Sequence, residues 1–136
     1  MARSIAAALA DYLAQCAPFD WRTHNCAQFV AEWLERMEGV RPESPGLSGP
    51  LDARRAALAL GGTLSDATTV QLGRLPLPAA MARPGDVVLI DRPDLQALGL
   101  CAGRTAAYLT ASGVAHIPIA AASVAWHLKA IQCAVR

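Results

Sequence analysis

The chain carries little charge and few aromatic side chains. Asp, Glu, Lys and Arg make up 17% of its 136 residues, and Phe, Trp and Tyr only 5%. Lys129 is the single lysine beside eleven arginines, and nowhere do basic residues form a run. A net charge of +1 with no basic patch argues against a nucleic-acid partner. No segment approaches the roughly 20 consecutive apolar residues needed to span a bilayer. The apolar stretch that begins at Ile5 is interrupted by Asp11 and Gln15, so it reads as a helix rather than a signal peptide. The four cysteines, Cys16, Cys26, Cys101 and Cys133, and the three histidines show neither C-x-x-C nor H-x-x-x-H spacing. Gly61-Gly62 lacks the Lys-Ser/Thr of a phosphate loop. The spacings therefore imply no metal and no cofactor, although convergence of the cysteines in three dimensions would allow a zinc or iron–sulfur site. Reduced thiols are expected, because a chain of this size and apolarity needs no disulfide staples.

What the chain does have is apolar substance. Hydrophobic residues reach 54% and mean hydropathy is +0.29, which excludes a disordered chain. Twenty-nine of the residues are alanine, so the core is expected to be thin, with Trp33 and Trp126 as its large anchors. The length suits one domain, residues 1–136. Residues 4–15 read as a helix capped by Ser4. Residues 26–37 read as a second, with Cys26, Phe29, Val30, Trp33, Leu34 and Met37 on one face, Asn25 as N-cap and Gly39 as stop. A short helix capped by Asp52 is expected over 53–60; residues 63–84 are ambiguous between elements, with Leu75-Pro-Leu-Pro78 preventing a regular helix at that point. Strands are expected at 87–90, 98–101, 105–110, 114–119 and 126–135, with a hairpin turn at Ser112-Gly113. Helices first and an antiparallel sheet second make an α+β fold.

The chemistry concentrates at His24-Asn25-Cys26, where the second helix opens. A cysteine in a first helical turn feels the positive end of the helix dipole, which favours its thiolate. Cys26 is thus a candidate nucleophile, with Trp21 in the preceding loop as a candidate groove residue. The bland alternative is a small apolar residue at a helix start. Glu32, Glu35 and Glu38 read as a solvated helix face, and Asp86 as a turn residue.

The segment Asn25-Cys26-Ala27-Gln28-Phe29-Val30-Ala31, running to Met37-Glu38-Gly39, resembles the nucleophile helix of the NlpC/P60 cysteine peptidase superfamily. Pro84-Gly85-Asp86-Val87-Val88-Leu89-Ile90 resembles its turn into the sheet, and Leu98-Gly99-Leu100-Cys101-Ala102-Gly103 its following strand. The order of these motifs over residues 17–128 is similar to small NlpC/P60-like proteins of phage and prophage tail modules, which also carry a Trp near Trp126. The resemblance implies a papain-like fold and a nucleophile at Cys26. It also implies a histidine at the start of the second strand, where this chain has Ala97, and a further polar residue near Thr110. Asn25 stands where that superfamily usually has Asp. His24 and His116 are the weak remaining base candidates, and His127 follows Trp126. Loss of a general base commonly removes about 10²–10⁴-fold in rate.

Three functions follow as expectations. The first is a phage or prophage tail component at the tail tip or baseplate, catalytically degenerate, made in the host cytoplasm, found in the virion and partnered by other tail subunits. The second is an active cysteine peptidase or amidase cleaving peptidoglycan peptides through Cys26. The third is a metal or iron–sulfur protein using the cysteines.

Overall fold

The computed structural model describes residues 4–129. Four α-helices come first: α1 (Ile5–Gln15), α2 (Cys26–Glu38), α3 (Pro50–Ala59) and α4 (Leu64–Leu72). Six strands follow: β1 (Leu77–Pro78), β2 (Val87–Arg92), β3 (Leu95–Cys101), β4 (Thr105–Thr110), β5 (Gly113–Pro118) and β6 (Ala122–Trp126). They form one sheet in the order β1-β6-β2-β3-β4-β5, antiparallel throughout. The fold class is α+β, helices before sheet. Among the described residues no helix is long and apolar enough to cross a membrane.

The helix boundaries follow from local chemistry. The Ser4 hydroxyl accepts from Ala7 N at the head of α1. α2 opens on a full capping box and closes on Gly39 in the left-handed conformation. α3 begins at Pro50, earlier than expected, because proline is well suited to the first helical position. Asp52 therefore lies inside the first turn, where its carboxylate accepts from Ser48 N. α4 occupies part of the stretch 63–84 whose sequence is ambiguous, and ends before Leu75-Pro-Leu-Pro78. Thr63 caps it by accepting from Asp66 N, and Gly73 ends it. Its buried face is Ala67, Thr68 and Leu72, too small and polar to show as an apolar period. The last expected strand shifts as well: β6 ends at Trp126 instead of starting there, and residues 130–135 of that expectation, with Cys133, lie outside the described residues.

Side chains alternate across the sheet and build two cores. On one face Val87, Leu89, Leu98, Leu100, Leu109 and Trp126 meet Leu9, Tyr12, Phe29, Trp33 and Leu34 from α1 and α2. On the other, Val88, Ile90, Cys101, Ala106, Ala122 and Ala125 form a smaller cluster closed by Ala79, Ala82, Ile117 and Ile119 from the short 3-10 segments and their flanks. Both large tryptophans are fully buried. The Trp33 indole Nε1–H donates to the Gly85 carbonyl at 2.8 Å, pinning α2 to the turn that enters β2. Gly85 has φ +91°, and a Cβ there would lie 2.6 Å from Ile5 Cγ2 and 2.9 Å from Leu128 Cδ1, so glycine is required for both conformation and space.

A polar clasp ties the same turn to both ends of the helix–sheet unit. Asp86 is fully buried. Its carboxylate accepts from Arg83 N at 2.8 Å, Leu128 N at 2.9 Å and His127 Nδ1. Glu38, at the end of α2, is not part of a solvated face. It takes a bidentate pair from the Arg74 guanidinium and a hydrogen bond from Lys129 N. Arg74 Nη1 also donates to the His127 carbonyl at 2.9 Å. Buried charges are tolerated where their lone pairs are met in this way.

Candidate functional site

The loop before α2 is folded by its own side chains. The Asp20 carboxylate accepts from Arg22 N and Thr23 N, which holds its carboxyl below the usual range, and the Asp20 and His24 backbones pair across the turn. Asn25 Oδ1 accepts from Gln28 N while Gln28 Oε1 accepts from Asn25 N. The remaining amide protons reach outward. Asn25 Nδ2 donates to the Trp21 and Pro45 carbonyls, and Gln28 Nε2 to the Arg22 carbonyl. The neutral amide at position 25 thus stitches the loop at 19–24 and the proline-rich loop at 42–50 to the start of α2. A carboxylate there would have no proton to give Trp21 or Pro45.

These contacts set Cys26 at the first position of α2, in the wall of an apolar cleft of about 670 Å³. Trp21 and Pro45 stand on the loop side. Ala53 and Ala57 of α3 and Leu64 and Ala67 of α4 form the opposite wall, and Gln96 and Leu98 of β3 complete it. α3 has no buried residue, because its small inward side chains look into this cleft rather than into a core.

The sequence suggested a thiol activated by the helix terminus. The site balances the other way. Removal from water pushes the Cys26 thiol up, while hydrogen bonds from the backbone at Leu98, Cys26 and Ala27 oppose that shift without overcoming it. The residue of β3 that faces Cys26 is Leu98. Ala97, where the resemblance implies a histidine, pairs with Ile90 and points to the opposite face of the sheet. Among the described residues no histidine lines the cleft. His24 turns its ring edge-on to Phe29, with centroids 6.2 Å apart, and its Nε2 is buried without a hydrogen-bond partner. His116 lies on β5, hydrogen-bonded through Nδ1 to Thr105 Oγ1 at 2.8 Å. Thr110 is engaged in its own hairpin, donating to the Gly113 carbonyl and accepting from Ser112 N. Of the residues singled out from sequence, the structure therefore brings together Cys26 and Trp21 and leaves His24 and His116 elsewhere. A cleft so equipped can hold a ligand against a thiol, but among the described residues no histidine stands in it to take the thiol's proton.

Cys16 and Cys101, the other described cysteines, are separate from this cleft. Cys16 ends α1 beside Tyr12, and Cys101 is buried in the smaller core with Sγ 3.7 Å from the Gly103 carbonyl. Burial pushes both thiols up. Among the described residues no group of three or more His, Cys, Asp or Glu side chains could hold a metal ion. The His127–Asp86 pair was not foreseen. Its signal lay in Pro84-Gly85-Asp86, where the carboxylate looks like turn chemistry until burial removes its water.

One family, described as Domain of unknown function (DUF6950), matches residues 2–128. No curated protein and no solved structure matches the chain.

Proposed function

The chain belongs to the DUF6950 family, and from that premise we propose that it is a catalytically silent domain of papain-like NlpC/P60 type, serving as a structural component of a phage or prophage tail near its tip. The observation that carries the silent reading is Leu98, an aliphatic side chain on the strand position that faces Cys26. The motif order Asn25-Cys26, Pro84-Gly85-Asp86 and Leu98-Gly99 supports the scaffold, since a cysteine-headed helix packs against an antiparallel sheet. Low surface charge and the exposed Leu51, Leu58, Val70, Leu75 and Met81 suit a subunit partly covered by its neighbours. Those neighbours would be other tail subunits.

The test is mass spectrometry of purified particles from a strain that carries the gene, together with a muropeptide cleavage assay on the pure protein. Presence in the particle with no cleavage supports the proposal, and absence from the particle overturns it. A second reading, a peptidoglycan-cleaving cysteine hydrolase, draws on the backbone hydrogen bonds to the Cys26 sulfur. Muropeptide turnover abolished by Cys26→Ala would put that reading in place of the first.

A further inference from the structure

A second cavity, of about 380 Å³, opens at the other end of the molecule from the Cys26 cleft, beside the C-terminal end of α2. Its lining is unusual for a chain with so few charges. Arg74, Arg83, His127 and Lys129 surround it, with Leu75, Leu77 and Leu128 completing the wall. Among the described residues no carboxylate lines it. The two carboxylates of the clasp lie behind the lining, and their oxygens are already engaged. Asp86 receives Arg83 N, Leu128 N and His127 Nδ1, and Glu38 receives the Arg74 guanidinium and Lys129 N.

What the clasp leaves over is donor capacity. Arg83 contributes to the clasp through its backbone N–H. Its guanidinium is half-exposed, with Nε 3.7 Å from Asp86 Oδ2, too long for a hydrogen bond. His127 uses Nδ1 on Asp86, so Nε2 is the nitrogen left for another partner, and the buried carboxylate fixes the ring for it. Arg74 Nε is buried with no hydrogen-bond partner among the described residues. Three permanent cations stand against two carboxylates, so the cavity keeps an excess of positive charge before His127 is counted. A clasp needs none of this. The Arg83 side chain in particular could be lost without breaking any of the clasp's hydrogen bonds.

We infer that this cavity is an oxyanion site, in which Arg83 and the Nε2–H of His127 in its imidazolium form bind the oxygens of a phosphate or carboxylate group under the positive potential of Arg74 and Lys129. Guanidinium groups suit both anions, because each offers paired oxygens to a planar fork of donors. Leu75, 82% exposed at the rim, and Leu77 give the ligand's apolar portion a surface to lie on.

The experiment follows the His127 ring by NMR in the full chain. Sodium phosphate and, separately, sodium glutarate are titrated at fixed pH and constant ionic strength, with sodium chloride as reference. The expected result is a saturable shift with phosphate, glutarate or both, which also identifies the preferred anion. In Arg83→Gln the affinity should fall about tenfold, as for loss of a charge-assisted hydrogen bond, and Arg83→Lys should fall between the two. Equal responses to chloride, no saturable shift with either anion, or unchanged affinity in Arg83→Gln would each overturn the proposal. The wild-type titration decides the first two outcomes whatever the variants' stability.

Discussion

Leu98 of β3 packs in the core against which Cys26 at the head of α2 lies, and both line the same cleft, so the leucine side chain occupies the wall where a histidine base would have to stand. This relationship separates a buried thiol at a helix start from an activated nucleophile. It also says where a histidine would have to be placed. Leu98→His puts an imidazole on the cleft side of the sheet, whereas Ala97→His puts it on the opposite face. Leu98→His should raise the rate of Cys26 alkylation at neutral pH and cost about 1–3 kcal/mol for introducing a polar ring into the core. Ala97→His should leave the alkylation rate unchanged. Iodoacetamide labelling followed by peptide mapping reads both, and equal rates for the two variants would refute the facing assignment.

In the wild type, burial keeps Cys26 protonated. Its alkylation rate should climb with pH through and beyond the ordinary thiol range near 8.5, with no inflection below it. An acidic inflection that disappears in Cys26→Ala would show an activated thiolate instead.

The same burial gives the fold an alkaline limit. Tyr12, Cys16, Cys26 and Cys101 all hold their protons more tightly folded than unfolded, chiefly through desolvation. Above the ordinary thiol range the unfolded chain therefore binds fewer protons than the folded one, and stability falls as pH rises. Urea unfolding between pH 7 and roughly 10.5 should show this decline, and Cys26→Ala should make it shallower. A flat profile would contradict the burial of these groups.

Asp86→Asn should be the most damaging conservative change in the clasp. The carboxylate receives three donors, and an amide offers one acceptor oxygen and two protons that oppose them. The expected loss is about 3–5 kcal/mol, read by chemical denaturation. His127→Ala, which removes one donor, should cost less.

Gly85 and Trp33 form a single joint, so their variants should fail together. Gly85→Ala meets Ile5 and Leu128 at a positive φ and should cost about 2–4 kcal/mol. Trp33→Phe loses the hydrogen bond to the Gly85 carbonyl as well as volume, for about 2–4 kcal/mol. In the double variant the losses should be less than additive, because the two changes disrupt one contact.

Local chemistry made parts of the fold readable. Asn25 and Gly39 delimit α2 because caps are short-range, and the strand at 105–110 is found where its residues predicted it. α4 escaped because Ala67 and Thr68 bury a face that carries no apolar period. β6 was placed too late because Trp126 looks like the start of a run, whereas it is the last residue of a strand built from Ala122, Val124 and Ala125. At the site, Cys26 and Trp21 stood out by sequence position. The parity of β3 did not, since a shift of one residue exchanges the two faces of a strand, and only the pairing of Ala97 with Ile90 fixes it. The His127–Asp86 pair joins residues 41 positions apart, a distance no local pattern spans.

Helix α3 has a consequence of its own. With no buried residue, and with Gly61 and Gly62 both at positive φ immediately beyond its end, it adds a wall to the cleft while adding little to the core. The sheet and α2 can keep their structure while that wall swings or is rebuilt. The domain thus combines a frame that carries the buried core with a cleft wall that carries none of it, so substitutions in α3 can change what the cleft grips at little cost to how the chain folds.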